Sequence, residues 1–202
     1  MKDQRHIWNS LIDGAAGRHR LRSVMSAVSQ LLSEVTGRVI NNDEPIIERI
    51  PIGQVHMRAG GPEERMVGIY LVIGGGLHGQ AIIILPMSSA LALADLMMDE
   101  PQGRATELGL MEQSALSELG NMTLAAFLNS VASLDDVPDL LRPSPPAVMV
   151  DMLGAILNVI VTPVAAVRDD LLIIETAFQD TAPTIQGRFW VLPDPALETL
   201  VV

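Results

Sequence analysis

Three polar side chains at helical spacing are the part of this sequence best suited to chemistry: Ser114, Glu118 and Asn121. At 100° per residue they fall within a sector of roughly 60° on one helix, so a hydroxyl, a carboxylate and a carboxamide project side by side. Together they offer donors, acceptors and one negative charge to another molecule. The same residue types are also the ordinary covering of an amphipathic helix, and spacing alone does not separate the two readings. Leu108, Met111, Ala115, Leu119, Met122 and Ala126 form an adjoining apolar stripe, expected to be the buried edge. Gly120 lies next to the polar row, where a missing side chain lets another backbone come close. Glycine there costs about 1 kcal/mol relative to alanine.

Other chemistries are poorly supported. The run Gly74-Gly-Gly76-Leu-His-Gly79 matches a dinucleotide-binding glycine pattern after an expected strand. That pattern needs a helix N-terminus next to hold a pyrophosphate; here the chain continues as a second strand, so the glycines read as a hairpin turn. No glycine run ends in the lysine of a phosphate-binding loop, and no Gly-x-Ser-x-Gly elbow occurs. His6, His19, His56 and His78 are scattered without metal-ligand spacing. The absence of cysteine excludes disulfide and thiol chemistry and fits a cytoplasmic chain. The eleven methionines read as pliable core filler.

An excess of 24 acidic over 13 basic side chains gives a formal charge of -11. Nucleic-acid backbones and anionic membrane surfaces are repelled by such a chain, whereas a protein with a cationic or metal-bearing face suits it. With 49% hydrophobic and 18% charged residues, the 202-residue chain can bury a core. No secretory leader is visible at the start. Residues 152–167 carry no charge, but Asn158 and Pro163 interrupt them and the stretch falls short of the ~20 apolar residues a bilayer requires. It is expected to be buried in a soluble core rather than inserted in a membrane.

The elements that position the polar row follow from periodicity and breakers. A short helix is expected over 7–12, ending in the glycines of 14–17, and the sequence assigns 1–17 no role beyond covering an edge. A longer helix follows over 21–36, with Val24, Val28, Leu31, Leu32 and Val35 on one side and Gly37 as its stop. Ile46, Ile47, Ile50 and Ile52, set around Pro45 and Pro51, suit short edge strands. Residues 66–73 and 80–85 make a hairpin that Pro86 ends, and Ser88 and Ser89 open a short helix. The second half repeats this order: a long helix over 107–134, a proline cluster, an apolar element over 148–167, strands over 171–178 and 187–192, and a helical turn from Ala196. Gly79, Pro86, Ala90 and Leu91 in one half match Gly187, Pro193, Ala196 and Leu197 in the other. The expectation is an α/β fold with a pseudo-twofold repeat of long helix plus strands, the strands merged into one mixed or antiparallel sheet with the long helices packed against it. It forms a single domain over 1–202, built from repeats of about 18–100 and 104–202.

The sequence Ser114-Ala-Leu-Ser-Glu118-Leu-Gly-Asn121 resembles the signature of the CheC family of chemotaxis phosphatases, relatives of CheX and FliY. Phe127 and Asn129, Pro143-Ser-Pro-Pro146, Asp151 to Ile156, Leu172-Ile-Ile-Glu175 and Gly187 to Pro193 occur in the order that family shows. The resemblance implies a phosphatase that accelerates hydrolysis of the aspartyl phosphate on a phosphorylated CheY-like response regulator. It implies that Asn121 orients the attacking water, that Glu118 meets a lysine of the regulator, and that Ser114 supports the helix face. The regulator brings Mg²⁺, so no cofactor or metal ligand of the chain's own is expected. CheD is a further partner that the resemblance permits, and the alternative it leaves is a non-catalytic adaptor binding CheD or a flagellar switch complex. The family's proline position falls here on Ser144, flanked by Pro143 and Pro145; Pro145 is taken as its counterpart. Many members carry a second copy of the site on the first long helix. No Glu-x-x-Asn occurs in the first half, because Glu34 leads to Gly37, Glu44 to Ile47 and Glu48 to Pro51.

Overall fold

The computed structural model describes residues 4–135, 141–182 and 184–195. The first half runs α1 (Gln4–Ile12), α2 (Gly14–Thr36), β1 (Ile40–Asn42), β2 (Ile46–Pro51), a 3-10 turn (Ile52–Gln54), α3 (His56–Ala59), β3 (Arg65–Gly75), β4 (Gly79–Pro86) and α4 (Met87–Met97). The second runs α5 (Leu110–Asp135), β5 (Leu141–Pro143), β6 (Ala147–Met152), α6 (Leu153–Ala165), β7 (Asp170–Asp180) and β8 (Gln186–Pro193).

All strand pairs are antiparallel, in the order β1-β7-β8-β4-β3-β5, with β2 also on β7 and β6 also on β3. The two halves are therefore interleaved: each lends its two short strands to the long strand of the other. Their hairpins meet at the centre, where β4 pairs β8 from Gly79 opposite Pro193 to Ile84 opposite Arg188. Glycine is required at 79, since a Cβ there would stand 2.5 Å from the Leu192 carbonyl oxygen.

Alternation along the strands sorts side chains into two cores. Val67, Ile69, Leu71, Ala81, Ile83, Leu85, Ile174, Phe189 and Val191 face the layer of α1, α2, α4 and α5. Ile82, Ile84, Ile173, Trp190 and Leu192 face the opposite side, where Leu153, Ile156, Leu157 and Ile160 of α6 cover them. Each fully buried Leu or Ile contributes about 1.5–3 kcal/mol. Phe127 and Phe189 meet edge to face at 5.8 Å, tying α5 to the central strand β8.

Several expectations need correction. The second helix starts at Gly14, not near residue 21, because Gly17 lies where α1 folds back; a Cβ there would be 3.1 Å from the Leu11 and Ile12 carbonyl carbons. Gly37 does end it, in the left-handed conformation at φ 64°. α1 does more than cover an edge: Trp8 and Leu11 are fully buried, and Trp8 Nε1 donates to the His78 carbonyl at 3.2 Å. The apolar stretch 148–167 divides into β6 and α6, with Leu153 N–H donating to the Glu64 carbonyl and Gly154 N–H to that of Pro62. Among the described residues no helix is long and apolar enough to cross a membrane. The turn expected from Ala196 lies outside the described residues.

At the far end of β7, buried Asp180 accepts the backbone N–H groups of Thr184 (2.8 Å) and Ile185 (3.1 Å), and Arg38 Nη1 at 2.9 Å. Burial pushes its carboxyl up, but the two N–H groups and the guanidinium outweigh this and hold it below the ordinary aspartate value. A carboxyl whose folded value is depressed stabilises the fold above its unfolded value of about 4 and loses that contribution as pH falls toward the folded value. Asp180→Asn is expected to lower stability at pH 7 by about 1–3 kcal/mol and to flatten the loss of stability below pH ~4. Urea unfolding at pH 7 and at pH 3 measures both effects.

Candidate functional site

Helix α5 begins from a pinned loop. The fully buried carboxylate of Asp95, in α4, accepts the N–H groups of Gly103 (2.8 Å), Arg104 (3.1 Å) and Ala105 (2.9 Å). Gln113 Nε2 then donates to the Leu108 carbonyl at 2.8 Å. Glu112 supplies negative charge in the first turn, where the positive end of the helix dipole favours it.

The buried side of α5 carries Leu116, Leu119, Gly120, Thr123, Leu124, Phe127, Leu128 and Val131. This differs from the expected stripe. Of those six residues only Leu119 is buried, while Ala115, Met122 and Ala126 are on the flank and Met111 is 72% exposed. Gly120 sets the rotation: a Cβ there would stand 2.5 Å from Ile69 Cγ2 of β3. The close neighbour is thus a side chain and not, as expected, a backbone.

With that face against the sheet, the polar row points outward. Ser114 and Glu118 are exposed and Asn121 is half-buried. Among the described residues none of the three side chains has a hydrogen-bond or ion-pair partner. The Ser114 hydroxyl is on the exposed side of the helix. Glu118 and Asn121 lie one turn apart, about 4.5 Å along the axis. None of the four main cavities is lined by any of the three residues. The site is a projecting face that can enter another molecule, with its backbone fixed by the helix.

Pro145 is exposed in the link between β5 and β6, on the strand edge against which α5 packs. Ser144, at the family's proline position, donates its backbone N–H to the Val72 carbonyl at 2.8 Å, and its Oγ accepts the Val72 N–H at 2.9 Å. A proline there has no N–H to give and could not make the first of these bonds. Glu175, also within the resembling sequence, is structural: it is buried on β7 and pairs with Arg58 (2.6 Å) and Arg188.

The first long helix has a different outer face. The burial pattern of α2 follows that of α5 when Leu21 is set against Gly120, so that Val24 matches Thr123, Val28 matches Phe127 and Leu32 matches Val131, with half-buried Arg20 opposite buried Leu119 as the exception. Glu118 and Asn121 then correspond to His19 and Arg22, and Arg22 is held by Glu44 at 2.9 Å. Gly74 and Gly75 end β3, paired with β5, Gly79 opens β4 opposite Ile73, and the turn between them, with Gly76, leads into a strand and not a helix. Among the described residues no group of three His, Cys, Asp or Glu side chains gathers to hold a metal.

No family model matches the chain. In sequence it is 27% identical over 173 residues to the CheY-P phosphatase CheC of Bacillus subtilis (strain 168), a match covering 84% of this chain and 80% of that protein. In structure it is similar to Thermotoga maritima FliY, with a TM-score of 0.70, 18% identity, and 93% of this chain and 95% of that chain covered. It also resembles a chain of the CheX-CheY-BeF3-Mg²⁺ complex from Borrelia burgdorferi, with a TM-score of 0.57, 16% identity, and 87% and 98% covered. The resemblance to CheC therefore extends over most of the chain, and its fold is that of the CheC/CheX/FliY superfamily.

The opposed faces of α5 make separable demands. Gly120→Val is expected to destabilise the fold by about 2 kcal/mol or more, since overpacking a filled core typically costs 1–3 kcal/mol and a β-branched residue gains little helix propensity over glycine. Asn121→Ala should stay within about 0.5 kcal/mol of the parent. Urea midpoints for the two variants check the contrast.

Proposed function

Starting from a chain that resembles CheC and carries the CheC/CheX/FliY fold, we propose that it acts as a phosphatase on the aspartyl phosphate of a phosphorylated CheY-like receiver domain in chemotaxis signalling, in the cytoplasm. The observation that carries this reading is the outward placement of Glu118 and Asn121 on one rigid helix face, both without partners among the described residues.

An acyl phosphate is already reactive, so its hydrolysis needs a water held in line and charge neutralised, without covalent help from the second protein. The Asn121 carboxamide suits the first task. Its oxygen accepts a hydrogen from water while its NH₂ donates to a phosphoryl oxygen, and it adds no repelling charge. The water oxygen bonds to phosphorus as the bond to the aspartyl oxygen breaks, leaving a free carboxylate on the receiver and inorganic phosphate. Glu118 is repelled by the phosphoryl group, so its place is on the receiver's lysine, at roughly 1 kcal/mol while the pair stays wet. Mg²⁺ arrives with the receiver. Ser114 and Pro145 are assigned supporting places at the rim of the contact.

A non-catalytic adaptor, binding CheD or a flagellar switch complex, is the competing reading. His19 and Arg22 favour it, because they stand on α2 where a second active pair would be. Turnover separates the two. The chain should shorten the lifetime of phosphate on a receiver, and Asn121→Ala should reduce that acceleration by on the order of 10²-fold, the usual cost of one catalytic hydrogen-bonding group. Glu118→Gln should chiefly raise the receiver concentration needed, by up to about fivefold at low salt and less at high salt. An unchanged phosphate lifetime with capture of CheD would support the adaptor.

A further inference from the structure

At the first turn of α5, Leu110 is 89% exposed and Met111 is 72% exposed, although both are large and apolar. They lie on the outer face of the helix. At 100° per residue, Leu110 falls about 40° to one side of Ser114 and Met111 about 60° to the other, so the pair straddles the direction in which the polar row points. Met111 precedes Glu118 by about 10 Å along the axis and Leu110 precedes Asn121 by about 16 Å.

Resting on the receiver-phosphatase reading, we infer that Leu110 and Met111 form the apolar anchor that docks the phosphorylated receiver domain and sets Asn121 in its active site. Three observations lead to this occupant. First, a specific interface covers roughly 800 Å² on each partner, a patch about 30 Å across. A receiver centred on Glu118 and Asn121 therefore covers the first turn of the same helix.

Second, the outward face of α5 from Leu110 to Asn129 bears a single charge, Glu118, in a chain with 24 acidic residues. Loss of charge around a central contact is the compositional mark of an interface core. Third, the anchor is held ready. Asp95 ties down the loop at Gly103, Arg104 and Ala105, and Gln113 ties Leu108 to the helix. Little ordering cost then remains to be met on docking. Methionine's flexible thioether chain suits an apolar contact that must adapt to a second surface.

The test uses the full chain carrying Leu110→Ser and Met111→Ser, separately and together, with a CheY-like receiver loaded with beryllofluoride and Mg²⁺ as the probe. The double variant should bind the loaded receiver at least tenfold more weakly. Its thermal midpoint should match the parent's, since both side chains are largely exposed. An unchanged affinity overturns the inference, as does an unchanged affinity with loss of self-association in sedimentation, which would make the pair a contact between copies of this chain. If the parent binds the loaded receiver but does not hydrolyse the phosphate, the phosphatase reading fails while the affinity comparison still decides the anchor. If the parent binds no receiver, both fall.

Discussion

The close seating of α5 on β3 at Gly120 is the constraint on which the outward site depends. With no side chain at that position, Ile69 enters the space a Cβ would fill, and the helix is locked in rotation as well as in place. Phe127, two turns on, then reaches Phe189 on the central strand. The polar row is on the far side of the same rod because Gly120 and Phe127 are on the near side. A larger residue at 120 would lift or turn the helix and re-aim the Asn121 amide.

The sheet supplies the rigidity behind this seating. Neither half completes its own long strand: β5 and β6 of the second half pair with β3, and β1 and β2 of the first pair with β7. The strand under α5 thus belongs to one half and its edge partners to the other. Pseudo-symmetry governs the scaffold but not the surface. The back of the sheet is covered by α6 in one half, where the other half has only the short α3, and the outer faces of α2 and α5 differ, with His19 and Arg22 on one and Glu118 and Asn121 on the other. Function on such a scaffold resides in side chains rather than in the fold.

Much of this was legible in the sequence. Gly37 as a helix stop, the glycine turn between β3 and β4, Pro51 on an edge strand and the polar row of α5 each follow from local stereochemistry that tertiary structure does not override. The rotation of α5 was not legible. The helix carries apolar residues on several sides, so the expected stripe with Met111 and Met122 has a rival in Leu116 and Leu124, and contact with Ile69 decides for the latter. The start of α2 was missed because Gly14 and Gly17 read as breakers, whereas Gly17 is glycine for the close return of α1. The break between β6 and α6 is not legible because Asp151 is the one charge in residues 148–167 and no clear period marks the change from strand to helix. Nothing in the sequence marks Leu110 as exposed, since leucine is among the residues most often buried.

On the proposed reading, a site carried on an outward helix face supplies only part of the chemistry, and the rest belongs to the receiver it enters. The division suits an acyl phosphate that already holds its metal and its leaving group and lacks only an ordered water. The side-chain amide of Asn121 is the group on which this account turns, and its ¹⁵NH₂ resonances, identified by their loss in Asn121→Ala, report on it directly. Addition of a beryllofluoride-loaded receiver should move that pair of signals and slow their exchange with water. Resonances that stay in place while others along α5 move would show that the carboxamide does not enter the receiver, and would contradict the account.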